Sequence, residues 1–312
     1  MELKLGEKTD FFGRVERKDD STYDSYPCVV KTEEGDEVIV RIPQDETILS
    51  GKIYLFRTKA IEFKEKLHLL ASEYTLMGHL ELSEHRKEKL MRSFYHYAPI
   101  DLEEVSTYFD ETIDSIENPV IKEMTQTLYE KHKDDFLLYP AAKRFHHAYV
   151  SGLAYHTKTM LKLSEGFLSV YPFLNRDLLK AGILLHDICK IREFDSYEGG
   201  NYTVRGKLIG HITMGANLVH QAAVRLGLEE TEEVMLLEHI MISHHYYGNY
   251  GSPKKPNIAE ALIIHFIDNI DSKVCVLGEE LDLIDKGDLT SSIGVLERER
   301  YFKHHLTEDD EE

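Results

Sequence analysis

Residues 182–190 read GILLHDICK. The apolar run Ile183, Leu184 and Leu185 argues for a buried segment, and it ends on His186 and Asp187. Burying either residue is unfavourable unless it is paired or bound to a metal. Alone, the dipeptide fits a hydrogen-bonded pair at a helix end as well as it fits two adjacent metal ligands. The choice depends on whether other His and Asp residues lie against apolar helix faces elsewhere.

Upstream, Asn175 reads as the N-cap of a helix from Arg176 to Leu185 that carries Leu178, Leu179, Ile183 and Leu184 toward the His-Asp pair. Before it, Leu153, Met160, Leu163 and Phe167 form an apolar stripe with His156 close to the same side, and Gly152 permits a close backbone approach. Downstream, the stretch from Phe194 to Gly206 is long enough to wall a pocket. His211 follows Gly210 and opens a pattern with Ile212, Gly215, Leu218 and Val219. A helix from about Glu229 to Ser243 ends on His244-His245, and the loop YYGNYGSPKKP (246–256) suits either an anionic ligand or a plain turn-rich connection. A last helix, Ile258 to Val276, is interrupted by Asp268, which needs a partner in so apolar a setting; Asp271 reads as its exposed neighbour.

Composition narrows the classes. The chain of 312 residues is 42% hydrophobic, carries a net charge of −19, and has no apolar run of membrane-spanning length. Such acidity opposes diffuse attraction to a polyanion, so nucleic acid would have to be met by a focused patch or by bound cations. Three widely spaced cysteines, Cys28, Cys189 and Cys275, offer no Cys-based metal site and fit a reducing cytoplasm; no signal peptide is expected.

The first 76 residues alternate in short β-like runs: Phe11–Val15, Tyr26–Val30, Glu37–Ile42, Ile53–Phe56 and Lys66–Leu70. Five short strands predict a small Greek-key barrel, a scaffold that carries single-stranded nucleic acid by stacking bases on aromatics. Phe12, Tyr23, Tyr26, Tyr54 and Phe56 are the candidate platforms, with Arg14, Arg17, Lys18, Arg41 and Arg57 as phosphate partners. Between residues 77 and 145 the pattern is helical, with Asp101 and Asn118-Pro119 as start signals and Pro99 as a break. Residues 293 to 302 read as a short helix before the acidic tail TEDDEE.

His156, His186, Asp187, His211, His244 or His245, and Asp268 therefore each come from a helix or helix end of their own, save the adjacent pair. Helices that converge their His and Asp residues on one point build metal sites. An all-nitrogen-and-oxygen set suits Mn, Fe, Co, Ni or Zn. Six ligands exceed the needs of one tetrahedral ion and would serve two divalent ions, with Asp187 as the natural bridge.

That order, His, His-Asp, His, His, Asp, resembles the HD superfamily of metal-dependent phosphohydrolases over roughly residues 146 to 275. The whole chain is similar to the YhaM-type 3′→5′ exoribonuclease family, through His146-His147, GLAYHT (152–157), LLHDICK (184–190), GHI (210–212), ISHHYYGNYGSPKKP (242–256), and Asp268 with Asp271. Cys189 departs from the small residue usual at its place. The resemblance implies a multidomain chain: an all-β OB-type barrel (1–76), a helical connector (77–145), an all-α HD domain (146–285), and a C-terminal helix and tail (286–312). It implies one ion held by His156, His186, Asp187 and Asp268, and a second by Asp187, His211 and His244, with manganese favoured. Lys190 would meet a substrate phosphate. Arg144, Arg205, Lys254 and Lys255 would hold neighbouring phosphates, and His245 or His147 would protonate the leaving oxygen. The expected substrate is single-stranded RNA, with single-stranded DNA as a second candidate; the surface leaves room for a homo-oligomer. Two rivals are a phosphohydrolase for a small nucleotide or cyclic dinucleotide, and a nonenzymatic binding module with a degenerate site.

Overall fold

The structure is a computed structural model that describes residues 4–20, 25–43, 48–143, 147–197 and 201–306. The chain forms two compact units, Met1–Tyr97 and Ala98–Glu312, so the connector expected over 77–145 is divided between them.

In the first unit, five strands are found among the described residues: β1 (Lys8–Lys18), β2 (Ser25–Thr32), β3 (Glu37–Pro43), β4 (Ile53–Phe63) and β5 (Lys66–Leu76). They close in the order β1-β2-β3-β5-β4, antiparallel throughout except for the β3–β5 pair. This is the OB-like barrel, and closure leaves no open edge to recruit another strand. An irregularity between Val15 and Arg17 bends β1 so that it pairs with both β2 and β4. Alternate residues point inward, and Val15, Cys28, Val30, Val40, Ile42, Phe56 and Leu69 fill the interior. Each such aliphatic or aromatic side chain contributes roughly 1.5–3 kcal/mol by leaving water. Helix α1 (Glu84–Phe94), capped by Ser83, belongs to this unit. Its Arg86 reaches Glu33 through two hydrogen bonds of 2.9 and 3.0 Å.

The interior claims several expected nucleic-acid contacts. Tyr54 and Phe56 sit two apart on β4 and share its inward face, 5% and 0% exposed, so they are core. Arg41 is buried too, donating to Ser25 Oγ at 3.0 Å and lying over the Phe63 ring. Arg14, Arg17 and Arg57 are engaged by Glu16, Asp19 and Glu73. Phe12 and Tyr26 remain half-buried, and Lys18 lies 3.9 Å from the Tyr26 ring centre. Tyr23 lies outside the described residues.

Burial pushes the Cys28 thiol up to about 11, although Lys18 works against it. The unfolded value lies near 9, so the neutral thiol favours the folded barrel. That contribution is complete below pH 9 and fades as the pH rises through about 11. Native protein treated with iodoacetamide at pH 8 is expected to be modified at half-buried Cys275 but not at buried Cys28 or Cys189. Peptide mapping reads this directly, and rapid native alkylation of Cys28 would refute the buried-thiol account.

The second unit is helical: α2 (Leu102–Asp114), α3 (Pro119–Leu138), α4 (Gly152–Val170), α5 (Arg176–Leu185), α6 (Lys190–Glu193), α7 (Val204–Leu226), α8 (Glu232–Ser243) and α9 (Ala259–Asp282). The start signals act as expected. Asp101 accepts from the amides of Glu103 and Glu104, Asn118 from Val120 and Ile121, and Asn175 from Leu178. Helix α5 is the axis of the unit. Leu178 through Leu185 are all buried, and α2, α3, α4, α8 and α9 pack around them. An apolar helix enclosed on every side delivers His186 and Asp187, at its C-terminal end, into the interior.

The C-terminal stretch differs from expectation. Residues 286–303 form no α-helix but a folded-back arm, with Leu289 bridging Phe302 and a 3-10 turn at Gly294–Leu296. Glu297 and Arg298 both take left-handed backbone conformations, which end any helix there.

Candidate metal centre

Each histidine is aimed by its backbone neighbourhood. His186 caps α5, and its Nδ1 donates to the Ile183 carbonyl at 2.8 Å, which turns Nε2 inward. His244 caps α8 in the same manner, with Nδ1 on the Met241 carbonyl at 3.0 Å. His156, on α4, places Nδ1 on Asp271 at 2.6 Å and Nε2 3.4 Å from Asp268. Gly152 opens that helix against the carbonyl oxygen of His147, where any Cβ would overlap it.

His211 is set by a break within α7. Gly210 adopts φ 74°, a conformation open mainly to glycine, and a new helical stretch begins at His211. Glu193, on α6, grips that start with both oxygens: one accepts the His211 amide at 3.1 Å and the other faces its Nδ1 at 3.0 Å. The remaining nitrogen, Nε2, therefore points to Asp187.

Asp187 lies at the centre. One of its oxygens is 3.5 Å from His186 Nε2 and 3.7 Å from Lys190 Nζ; the other is 3.3 Å from His211 Nε2 and 4.0 Å from His244 Nε2. Two groups of potential ligand atoms gather here, each within 4.8 Å of one another: His156, His186 and Asp187, and Asp187, His211, His244 and His245. Asp187 is the residue they share. His186 Nε2, His211 Nε2, His244 Nε2 and one Asp187 oxygen are buried without a hydrogen-bond partner. Such groups cost about 1–3 kcal/mol each when unsatisfied. Four of them facing one region fit a bound cation, and the donor set of imidazole and carboxylate suits a divalent transition metal.

An HD domain model matches residues 153–273. Three curated relatives share the description 3′-5′ exoribonuclease YhaM. The one from Halalkalibacterium halodurans is 36% identical over 270 residues, 85% of this chain and 81% of that protein. The one from Oceanobacillus iheyensis is 34% identical over 279 residues, 89% and 83% of the two chains. The one from Bacillus subtilis is 40% identical over 210 residues, 67% of each. This chain belongs to the YhaM family. Its architecture of an OB-like barrel followed by an HD helical domain is the one expected, and the HD domain is that of a metal-dependent phosphohydrolase.

In this YhaM-family chain the charges around Asp187 are arranged to hold a cation. Burial works to raise the Asp187 pKa, but Lys190, His186 and His211 outweigh it and keep the carboxyl well below the usual range. Burial likewise opposes Glu193 ionisation, and His211 overcomes it. Burial, reinforced by His245 and His186, drives His244 well below the usual histidine range, leaving it as the neutral imidazole a metal requires. Lys190 is shifted upward despite burial by Asp187 and Glu193, so it stays charged.

The burial of one residue was misjudged from sequence. Asp271, expected to be exposed, is buried and receives both His147 Nε2 at 2.7 Å and His156 Nδ1 at 2.6 Å. Asp268 is the less buried of the two and stands outside the two gathered groups, touching them through His156. His147, one of the two proposed proton donors, sits behind Asp271; burial lowers its pKa but Asp271 lifts it to about 9. With His156 and Asp271 it forms a third group of potential ligand atoms. Glu193 was missed altogether; its one signal was an acid set between Ile191 and Phe194.

The outer residues are more scattered. His245 joins the second group, and its Nδ1 lies on the Tyr250 carbonyl at 2.7 Å. Lys190 is mostly buried beside Asp187. Arg205, Lys254 and Lys255 are exposed, with Lys255 Nζ 5.0 Å from the centre of the Tyr246 ring. Arg144 lies outside the described residues.

Glu193 yields a direct test. In Glu193→Gln the amide nitrogen would confront the His211 Nδ1–H, so the ring loses its fixed orientation. Mn²⁺ affinity, read by equilibrium dialysis, is expected to fall about 10–100-fold. Unchanged affinity would show that Glu193 does not set the ring.

Proposed function

We propose that this protein is a metal-dependent 3′→5′ exoribonuclease that shortens single-stranded RNA from its 3′ end and releases nucleoside 5′-monophosphates. The observation that carries the reading is the Asp187 carboxylate, shared between two groups of largely buried potential ligands. The relatives' description as 3′-5′ exoribonucleases supports the choice of substrate.

In this reading His156, His186, Asp187 and Asp268 hold one divalent ion, and Asp187, His211 and His244 hold the other, with manganese the favoured metal. Bound ions of this kind lower the pKa of water and offset the charge that gathers on the phosphoryl oxygens. Lys190 adds a fixed positive charge on the same side of Asp187 as His186. Water attacks phosphorus, the bond from phosphorus to the O3′ of the preceding nucleotide breaks, and that oxygen takes up a proton. His245 relays it: Nδ1–H is committed to the Tyr250 carbonyl, so Nε2 is free to take the proton that the attacking water gives up and pass it to that oxygen. Arg144, Arg205, Lys254 and Lys255 hold phosphates further along the strand, and the barrel carries the trailing RNA with Phe12 and Tyr26 as its remaining platforms. Single-stranded DNA is the second candidate substrate, and assembly into a homo-oligomer belongs to the same reading. Three free cysteines suit work in the cytoplasm, and among the described residues no helix is long and apolar enough to cross a membrane.

The test is incubation with Mn²⁺ and 5′-end-labelled single-stranded RNA, beside a single-stranded DNA of the same sequence and a cyclic dinucleotide. A ladder shortening from the 3′ end with 5′-monophosphate product is the expected result. Inert RNA together with hydrolysed cyclic dinucleotide would overturn it in favour of a small-nucleotide phosphohydrolase.

A further inference from the structure

The loop that follows His244-His245 is bound tightly to the metal-centre histidines. The His245 amide donates to Ser252 Oγ at 3.1 Å, and His245 Nδ1 lies on the Tyr250 carbonyl at 2.7 Å. The Tyr247 amide donates back to the His245 carbonyl at 2.7 Å, a tight turn centred on Tyr246, which takes φ 64°. A tyrosine in that region is uncommon, and it is retained here where the chain turns out of the site. The loop is therefore positioned by the same residues that face Asp187.

It presents aromatic rings outward. Tyr247 and Tyr250 are 50% and 63% exposed, with ring centres 6.0 Å apart and planes at 83°. Tyr247 is backed by Tyr246 at 4.8 Å and by His265 at 6.0 Å, and His265 Nδ1 in turn lies on the His244 carbonyl at 3.0 Å. A ring so buttressed keeps its face available. Two exposed rings at right angles make a corner, one giving a face to stack on and the other an edge to abut. Lys255, close to the Tyr246 ring, adds positive charge beside the corner.

We propose that Tyr247 and Tyr250 form a stacking site for the 3′-terminal base of a single strand, so that the terminal phosphodiester is presented to the Asp187 cluster. The proposal deepens the exoribonuclease reading and rests on it. Stacking is indifferent to base identity because every base has a π face, which is what an enzyme that removes successive nucleotides needs. A terminal base also lacks a neighbour on one side, so the corner replaces a stack that the strand itself cannot supply.

The experiment compares two RNA strands of equal length, one intact and one with an abasic 3′-terminal nucleotide, by kcat/KM. Wild-type protein is expected to prefer the intact strand by about 5- to 150-fold, the range of one base–aromatic stack. Tyr250→Ala and Tyr247→Ala are each expected to bring the intact strand down toward the abasic one, while Tyr250→Phe and Tyr247→Phe keep the preference. An unchanged Mn²⁺-induced rise in melting temperature shows that the alanine variants still fold around the metal centre. Equal turnover of both strands by the wild type, or full preference retained in both alanine variants, overturns the stacking site while leaving the exoribonuclease reading intact. If the wild type leaves even the intact strand untouched, the exoribonuclease reading itself fails and the stacking site falls with it.

Discussion

Asp187→Asn is expected to lower metal-dependent hydrolysis by about 10³-fold or more while leaving the far-UV circular dichroism unchanged. Asparagine keeps the shape but removes the charge, and it replaces one oxygen by an amide that repels cations. Both ligand groups lose their common member at once, so the loss exceeds that from removing a ligand unique to either. Several kcal/mol of transition-state stabilisation are at stake, and about 1.4 kcal/mol corresponds to a factor of ten. The isosteric change is the informative one, because asparagine keeps the volume and one amide oxygen beside Lys190, whereas Asp187→Ala would also open a cavity there. The measurement is single-turnover hydrolysis with Mn²⁺ held in excess. Near-wild-type activity in a folded Asp187→Asn protein would sink the two-ion arrangement.

Removal and return of metal should be equally visible in stability. The lone-pair atoms of His186, His211 and His244, with one oxygen of Asp187, are buried and lack hydrogen-bond partners. A ligand that satisfies them in the folded chain, and binds the unfolded chain weakly, stabilises by about 2.7 kcal/mol at one hundred times its Kd. For a unit of about 200 residues each kcal/mol moves the melting temperature by roughly 2–4 °C. Protein stripped with EDTA and then given saturating Mn²⁺ is therefore expected to melt about 5–10 °C higher, and His244→Ala should lose much of the rise. Mg²⁺, which prefers oxygen donors, should give a smaller shift. A melting temperature indifferent to every transition metal would mean that the cluster is a hydrogen-bonded network and no metal centre.

What was legible in the sequence was whatever one element decides by itself. Asn175 before an apolar helix, or Asn118 before Pro119, announces a helix start because the capping chemistry is local. The five β-like runs announced the barrel for the same reason, since alternation is a property of a single strand. The His-Asp pair was recognisable through the solitary polar residues on other apolar helices. What failed depended on neighbours distant in the chain. Asp268 and Asp271 are three residues apart on α9, and it is His147 and His156, 124 and 115 residues away from Asp271, that mark it as the buried one. Tyr54 and Phe56 read as stacking platforms because an aromatic on a strand looks the same from either face; barrel closure turned them inward. The helix expected near residue 293 had the right apolar spacing, but Glu297 and Arg298 carry left-handed backbone that ends it.

The interruption of α7 at Gly210 has an electrostatic consequence. A helix beginning at His211 carries roughly half a positive charge at its N-terminus, from peptide dipoles aligned along its axis. That partial charge lies beside the cluster that is to hold cations, and by itself it would repel them. The Glu193 carboxylate sits directly on the first amide, where its full negative charge exceeds the dipole's half and reverses the sign of the local field. One glycine thus creates a positive pole, and one glutamate turns that pole into a region attractive to metal.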